Sequence, residues 1–206
     1  MRTLPLWGLL AIAALAALPL QHATAGPSYV TCDEIAKGAS ADASNGGGGQ
    51  NWDAMAKVVC SSIERMRVLS GSNETKPQQD EIHRLYLSAV DGQALRLRAV
   101  PGCLKQRVTD GDVEARVVKI VQGFITKNGG TLQQSRGAIH IMAVARWPEK
   151  LEGLIDTGQG DPVPVAWLFR CHSSSDCKII DIQLTGSMSM AESIRTDLAG
   201  AAHCTG

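Results

Sequence analysis

Hydrophobic and polar positions between residues 162 and 198 fall into the pattern of strand, loop, strand and helix. Residues 163–170 and 178–184 are rich in β-branched, aliphatic and aromatic side chains. Between them His172, Ser173, Ser174, Ser175 and Asp176 form the polar cluster of a hairpin loop. Pairing Cys171 with Cys177 sets the expected register, with Phe169 opposite Ile179, Leu168 opposite Ile180, Trp167 opposite Asp181 and Ala166 opposite Ile182. Alternation then places Pro164, Ala166, Leu168, Ile180, Ile182 and Leu184 on one face. Val165, Trp167, Phe169, Ile179, Asp181 and Gln183 take the other. Both faces are largely apolar, whereas a half-exposed antiparallel hairpin carries a polar side. The pattern therefore predicts helices over one face and further protein or a ligand cavity over the other.

Upstream the spacing changes to that of helices. Trp52, Met55, Val59, Ile63 and Met66 recur three or four residues apart behind Asn51, a candidate N-cap, and Ile82, Leu85, Tyr86 and Ala89 repeat the pattern before Asp91-Gly92. Thr109 with Asp112 resembles a capping box, followed by an apolar stripe of Val113, Val117, Ile120, Val121 and Phe124 and a stop at Gly129-Gly130. Ser187 or Ser189 opens a last helix with Met190, Ile194 and Leu198 on its apolar face. Residues 94–100 fit a strand or a helix, and so do residues 132–146. Residues 151–157 are a strand candidate, and the glycine-rich residues 38–50 read as a flexible segment. The run of four glycines at 46–49 lacks the Lys-Ser/Thr of a phosphate loop.

Composition narrows the setting. Residues 1–25 have a basic start at Arg2, an apolar run to Leu20 and a small-x-small ending at Ala23, Thr24, Ala25, the form of a secretory signal peptide. About 180 residues then remain, enough for one domain with its own core. The expected organisation is a signal peptide over 1–25, a flexible segment over 26–50 and a single domain over 51–206. Six cysteines in an exported chain favour disulfides, and the hairpin argues for Cys171 with Cys177; pairing of Cys32, Cys60, Cys103 and Cys204 is left open. Zinc is the competing reading, through His172 and His203 beside cysteines, but no CxxC spacing supports it, so no metal and no cofactor are expected. Twenty basic and twenty acidic residues leave the chain neutral, which speaks against nucleic acid and anionic membrane surfaces as partners.

Catalytic chemistry finds little support. His172, the three serines and Asp176 supply the residue types of a hydrolase triad, yet a triad needs base and nucleophile on separate rigid elements, and these sit in one hairpin loop. Asp181, facing inward beside Trp167 in the expected register, is the carboxylate to follow. A buried charge is normally paired, so a hydrogen bond to turn backbone or to an arginine such as Arg195 is its expected role.

The hairpin and the helix after it resemble the C-terminal half of the MlaC, or toluene-tolerance, family of periplasmic lipid-binding proteins. Val163, Val165, Trp167 and Arg170 match its first strand, Asp181 and Ile182 its second, and Gly186, Ser189, Met190, Ile194, Arg195 and Leu198 the element after it. One additional residue between Asp181 and Ser189, and Thr185 in place of an acidic residue, depart from that pattern. This resemblance implies an α+β fold with an apolar cavity between a curved sheet and helices, and phospholipid carriage between membranes. A second resemblance runs through Cys32, Cys60, Cys103, Val108-Thr109, Phe124-Ile125, Leu132, Ala143 and Trp147-Pro148 to the Rap/Tai-type immunity proteins, which neutralise type VI secretion effectors in the periplasm. Here Leu104-Lys105 follow Cys103 and Glu149 follows Pro148, where that family has a proline and closes on Pro-Cys.

The combined expectation is a disulfide-bonded α+β domain with N-terminal helices packed on a small curved antiparallel sheet and room for an apolar cavity. It is expected to be periplasmic or secreted, not an integral membrane protein, and to perform no covalent chemistry. A lipid or other apolar ligand is the expected partner, held by a wall of Val121, Phe124, Val165, Trp167, Phe169 and Ile179. The alternative is an immunity or inhibitor module that binds membrane-complex or effector proteins.

Overall fold

The computed structural model describes residues 30–37, 51–70, 75–134, 139–144, 149–155, 162–184 and 188–202. Expectations for residues 1–25, for most of 26–50 and for Cys204 lie outside them. In chain order the elements are β1 (Val30–Thr31), α1 (Cys32–Ala36), α2 (Trp52–Ser70), α3 (Thr75–Ala89), α4 (Gly92–Ala99), a 3-10 turn (Gly102–Leu104) and α5 (Asp110–Gln134). They are followed by β2 (Ile139–Val144), β3 (Lys150–Ile155), β4 (Val163–Ser173), β5 (Asp176–Leu184) and α6 (Met190–Ala202). The strands form one five-stranded antiparallel sheet in the order β1-β2-β3-β4-β5. The fold is α+β.

Local chemistry starts several of the helices. Thr31 and Glu34 make a reciprocal capping box on α1. Thr109 and Asp112 do the same on α5, with Thr109 N donating to Asp112 Oδ2 at 2.8 Å and Asp112 N to Thr109 Oγ1 at 3.2 Å. Ser189 rather than Ser187 caps α6, bonded reciprocally with Glu192. Each such cap satisfies amide donors that the first helical turn leaves open, worth about 1 kcal/mol. Asp91 ends α3 and caps α4 through Ala94 N at 2.9 Å.

Of residues 94–100, all but the extended Val100 settle as helix, with Leu95 and Ala99, one turn apart, both fully buried while Arg96 and Arg98 leave along the flanks. α5 continues past Gly129-Gly130 to Gln134, a correction to the expected stop. Glycine permits a left-handed helix end but does not impose one. Residues 139–144 are strand, paired with β1 and β3. Val30–Thr31 therefore belongs to the folded domain and not to a flexible segment, and the Cys32–Cys60 disulfide ties α1 to α2.

Three buried clusters hold the molecule together. The largest lies between α2 and the inner face of the sheet. A second joins α4, α5 and α6 through Leu95, Ala99, Val113, Val117, Ile194 and Leu198. The third, around Leu69, Ile82 and Ile125, joins α2, α3 and α5.

The hairpin register departs from expectation at one residue. Cys171↔Cys177 and Phe169↔Ile179 pair as anticipated, but Leu168 then faces Asp181, Trp167 faces Ile182 and Val165 faces Leu184. Ile180 is the extra residue of a β-bulge, which shifts everything beyond it by one. Ile182 and Leu184 consequently join the inner core, and Gln183 opposite Ala166 is exposed. The correction improves the chemistry of both faces. It turns two aliphatic side chains inward and one amide outward.

Candidate functional site

Four of the six residues expected to line one cavity share a buried cluster. Val165, Trp167, Phe169 and Ile179 share the inner sheet face, each 3–4% exposed, with Trp52, Met55, Ala56, Val59 and Ile63 of α2 in the same cluster. Val121 is half-buried between the second and third clusters, and Phe124 is half-buried on α5. A chamber wide enough for an acyl chain would leave its lining open to a water-sized sphere from within. Leu151, Ala56 and Val59, at the centre of this layer, are 0% exposed. In this conformation α2 fills the space beside the sheet.

Two polar networks anchor the core. Asp181, 1% exposed, accepts from Ile182 N at 2.9 Å and from Ala191 N at 3.0 Å through Oδ1, and from Arg98 Nη2 at 3.3 Å through Oδ2. It therefore joins β5, the first turn of α6 and the end of α4, and its negative charge lies at the positive end of the α6 dipole. The arginine that pairs it is Arg98; Arg195 donates instead to the Arg98 carbonyl. Glu149 makes the second network. Its Oε1 accepts from Asn51 Nδ2 at 2.6 Å and its Oε2 from Cys171 N at 2.7 Å, which holds the start of α2 against the rim of β4. Both are positional roles.

Tyr86 carries an anomaly with a measurable consequence. Its side chain is 6% exposed, its hydroxyl has no hydrogen-bond partner among the described residues, and burial pushes its pKa up to about 12, helped by Glu114, Asp110 and Asp91. That hydroxyl sits against the first residue of α4, where a Cβ added to Gly92 would lie 2.5 Å from Tyr86 Oη but 3.3 Å from the ring carbon behind it. Removing an unpaired buried donor is favourable, so Tyr86→Phe is expected to gain about 1 kcal/mol of unfolding free energy. Gly92→Ala is expected to destabilise the wild type and to be tolerated in the Tyr86→Phe background, which urea unfolding of the four proteins tests. The raised phenol pKa means that unfolded chains ionise first as pH rises. The stability that Tyr86 retains below pH 10 is lost toward about 12, and the advantage of the phenylalanine variant widens over that window. An advantage independent of pH would show that the hydroxyl is solvated.

The face of the sheet away from α2 is different in kind. Leu154, Pro164, Ala166 and Leu168 lie there, Leu154 opposite Pro164, and none is part of the three buried clusters or packs on them. Pro164 is exposed and the other three are half-buried. Lys150 and Glu152, paired with each other, share this face opposite Leu168 and Ala166. Farther along β4 come Arg170, bonded to Asp91 at 3.2 Å, and, directly opposite it, Lys178, which donates to the Leu87 carbonyl at 3.3 Å.

At the end of the hairpin all residues from His172 to Asp176 are exposed. Ser173 Oγ accepts from Ser175 N at 3.3 Å and from Asp176 N at 3.1 Å, and the Cys171–Cys177 disulfide closes the base of the loop. Ser173 and Ser175 are thus spent on turn geometry. Cys103 is disulfide-bonded as well. His83, isolated in the sequence, is paired with Glu114 between α3 and α5. Among the described residues no group of three or more histidine, cysteine or carboxylate side chains is placed to hold a metal ion, and no helix is long and apolar enough to cross a membrane.

Sequence signals point to Asp181 and to the hairpin disulfide. Arg98 and Glu149 carry no such signal, because each acts through a partner distant in the chain, and the helical spacing that buries Tyr86 does not show where its hydroxyl ends. No family model matches this chain, and no curated protein matches it.

Proposed function

We propose that this chain is an exported, disulfide-bonded binding module that recognises a partner protein through the outer face of its sheet and carries out no covalent chemistry. The observation that supports this reading is the asymmetry of the sheet. Its inner face is filled by α2, while Leu154, Pro164, Ala166 and Leu168 on the outer face belong to none of the buried clusters. A sheet face cannot enclose an acyl chain as a concave pocket does. It does suit a protein surface, where an apolar centre is ringed by polar and charged groups such as Lys150, Glu152 and Arg170. Disulfides support an oxidising compartment for such a module, and the periplasm is the compartment this reading favours. An immunity or inhibitor role fits this description.

Carriage of a lipid-like ligand is the second reading, supported by Trp52. Its indole N–H is buried in the layer between α2 and the sheet with no acceptor among the described residues. A carrier would have to lift α2 to admit a ligand whose oxygen accepts that bond.

Native mass spectrometry of protein purified from the exporting cells, followed by lipid extraction, separates the two. The expected result is a lipid-free mass, together with a protein partner retained by the wild type and lost with Leu168→Asp, a variant that keeps its fold because Leu168 lies outside the core. Phospholipid in near-stoichiometric amount would replace the first reading with the second.

A further inference from the structure

Resting on the docking role of the outer sheet face, we propose that the tip of the β4–β5 hairpin is a preorganised plug. It enters a polar cleft in the partner protein while Arg170 and Lys178 pair with carboxylates on the cleft's rim. Three features of the hairpin support this, beginning with the exposure of its tip. Glu149 accepts from Phe169 N and Cys171 N and holds the base of the hairpin, while His172 to Asp176 beyond it are all exposed.

The second feature is rigidity. The disulfide clamps the loop at its base and Ser173 ties it from within, so little conformational freedom is left to lose on binding. Five exposed residues held this way offer hydroxyl, imidazole and carboxylate groups, and no apolar side chain, to whatever surrounds them. Their chemistry fits a recess lined with hydrogen-bonding groups.

The third is the order of chemistries along one side of the hairpin. Behind the polar tip come Arg170 and Lys178, then Leu168, Ala166 and Pro164. Like charges directly opposite on adjacent strands repel. Asp91 relieves Arg170 alone, and the Arg170 side chain stays 44% exposed. Leu87, whose carbonyl Lys178 holds, is 55% exposed at the same place. Polar tip, cationic collar and apolar shank form one continuous surface, complementary to a cleft with an acidic rim and an apolar shelf beside it.

The test uses the full chain with a photo-crosslinking phenylalanine analogue placed in turn at Ser174, Ala166 and, as a control on α5, Lys119, in the cells that export the protein. The same protein should be captured from 174 and 166 and not from 119. Arg170→Gln combined with Lys178→Gln should lower the yield at 174 at least tenfold, and raising the salt should do the same to the unmodified collar, which keeps the test valid if the double variant folds poorly. With the captured protein purified, Cys171→Ser/Cys177→Ser should bind it at least tenfold more weakly. Capture from 166 alone overturns the plug and leaves the docking face standing. Capture from neither position overturns both, and a yield at 174 indifferent to salt and to both charges overturns the collar.

Discussion

Replacing Asp181 by alanine is expected to cost about 3–5 kcal/mol of unfolding free energy, the range for removing one partner from a buried charged network. A buried backbone donor, Ala191 N, and a part-buried one, Ile182 N, lose their acceptor, at about 1–3 kcal/mol each where water cannot replace it. Arg98 loses its counter-charge but keeps a side chain 44% exposed, so its share is small. This division predicts an order. Asp181→Asn retains a carbonyl oxygen for both amides and should cost far less than Asp181→Ala, while Arg98→Ala should cost least. Chemical unfolding of the three variants at neutral pH measures it. If the asparagine and alanine variants were equally destabilised, the charge beside Arg98 and the α6 dipole would outweigh the two backbone bonds.

The same carboxylate marks how far the sequence can be read. Asp181 is visible as an acid within an apolar strand, but alternation sets it beside Trp167, whereas the bulge pairs it with Leu168 and its burial comes from α6 and Arg98. Its partner is not visible, since Arg98 lies 83 residues away, on a stretch whose two arginines fit strand and helix periods alike. Alternation and the cysteine pair specify the hairpin and its first rungs, but no composition signal distinguishes a bulged Ile180 from a paired one. The bulge moves Ile182 and Leu184 inward. The helical stripe of α5 announces a buried face that holds at Val113 and Val117 and fails at Ile120, which is exposed, and periodicity states that a face is covered and not by what. Val121 therefore meets the clusters of α3, α4 and α6 instead of Trp167. Apolar patterning reads the same for a cavity wall and a filled core. Only the position of α2 separates them.

That separation can be measured at Trp167. It faces Leu151 on β3 and Ile182 on β5 and is 4% exposed within the layer that α2 covers. As part of a filled core it should follow the rule for large aromatic side chains, so that Trp167→Ala costs about 3–5 kcal/mol, the lost transfer energy plus the cavity that its neighbours cannot collapse to fill. Leu151 and Val59, both fully buried, leave those neighbours little room to move. Were Trp167 instead the wall of a ligand chamber, its inner side would already face empty or exchangeable space. Truncation would then cost about 1 kcal/mol, because an indole with no atoms packed on one side has less dispersion attraction to forfeit, and its main effect would be on retained ligand. Urea unfolding of Trp167→Ala, with lipid extracted from wild type and variant in parallel, therefore decides between a binding module with a solid core and a carrier caught with its chamber closed. A large loss of stability with no lipid in either protein is the expected outcome, because α2 and the sheet already satisfy each other's apolar surfaces.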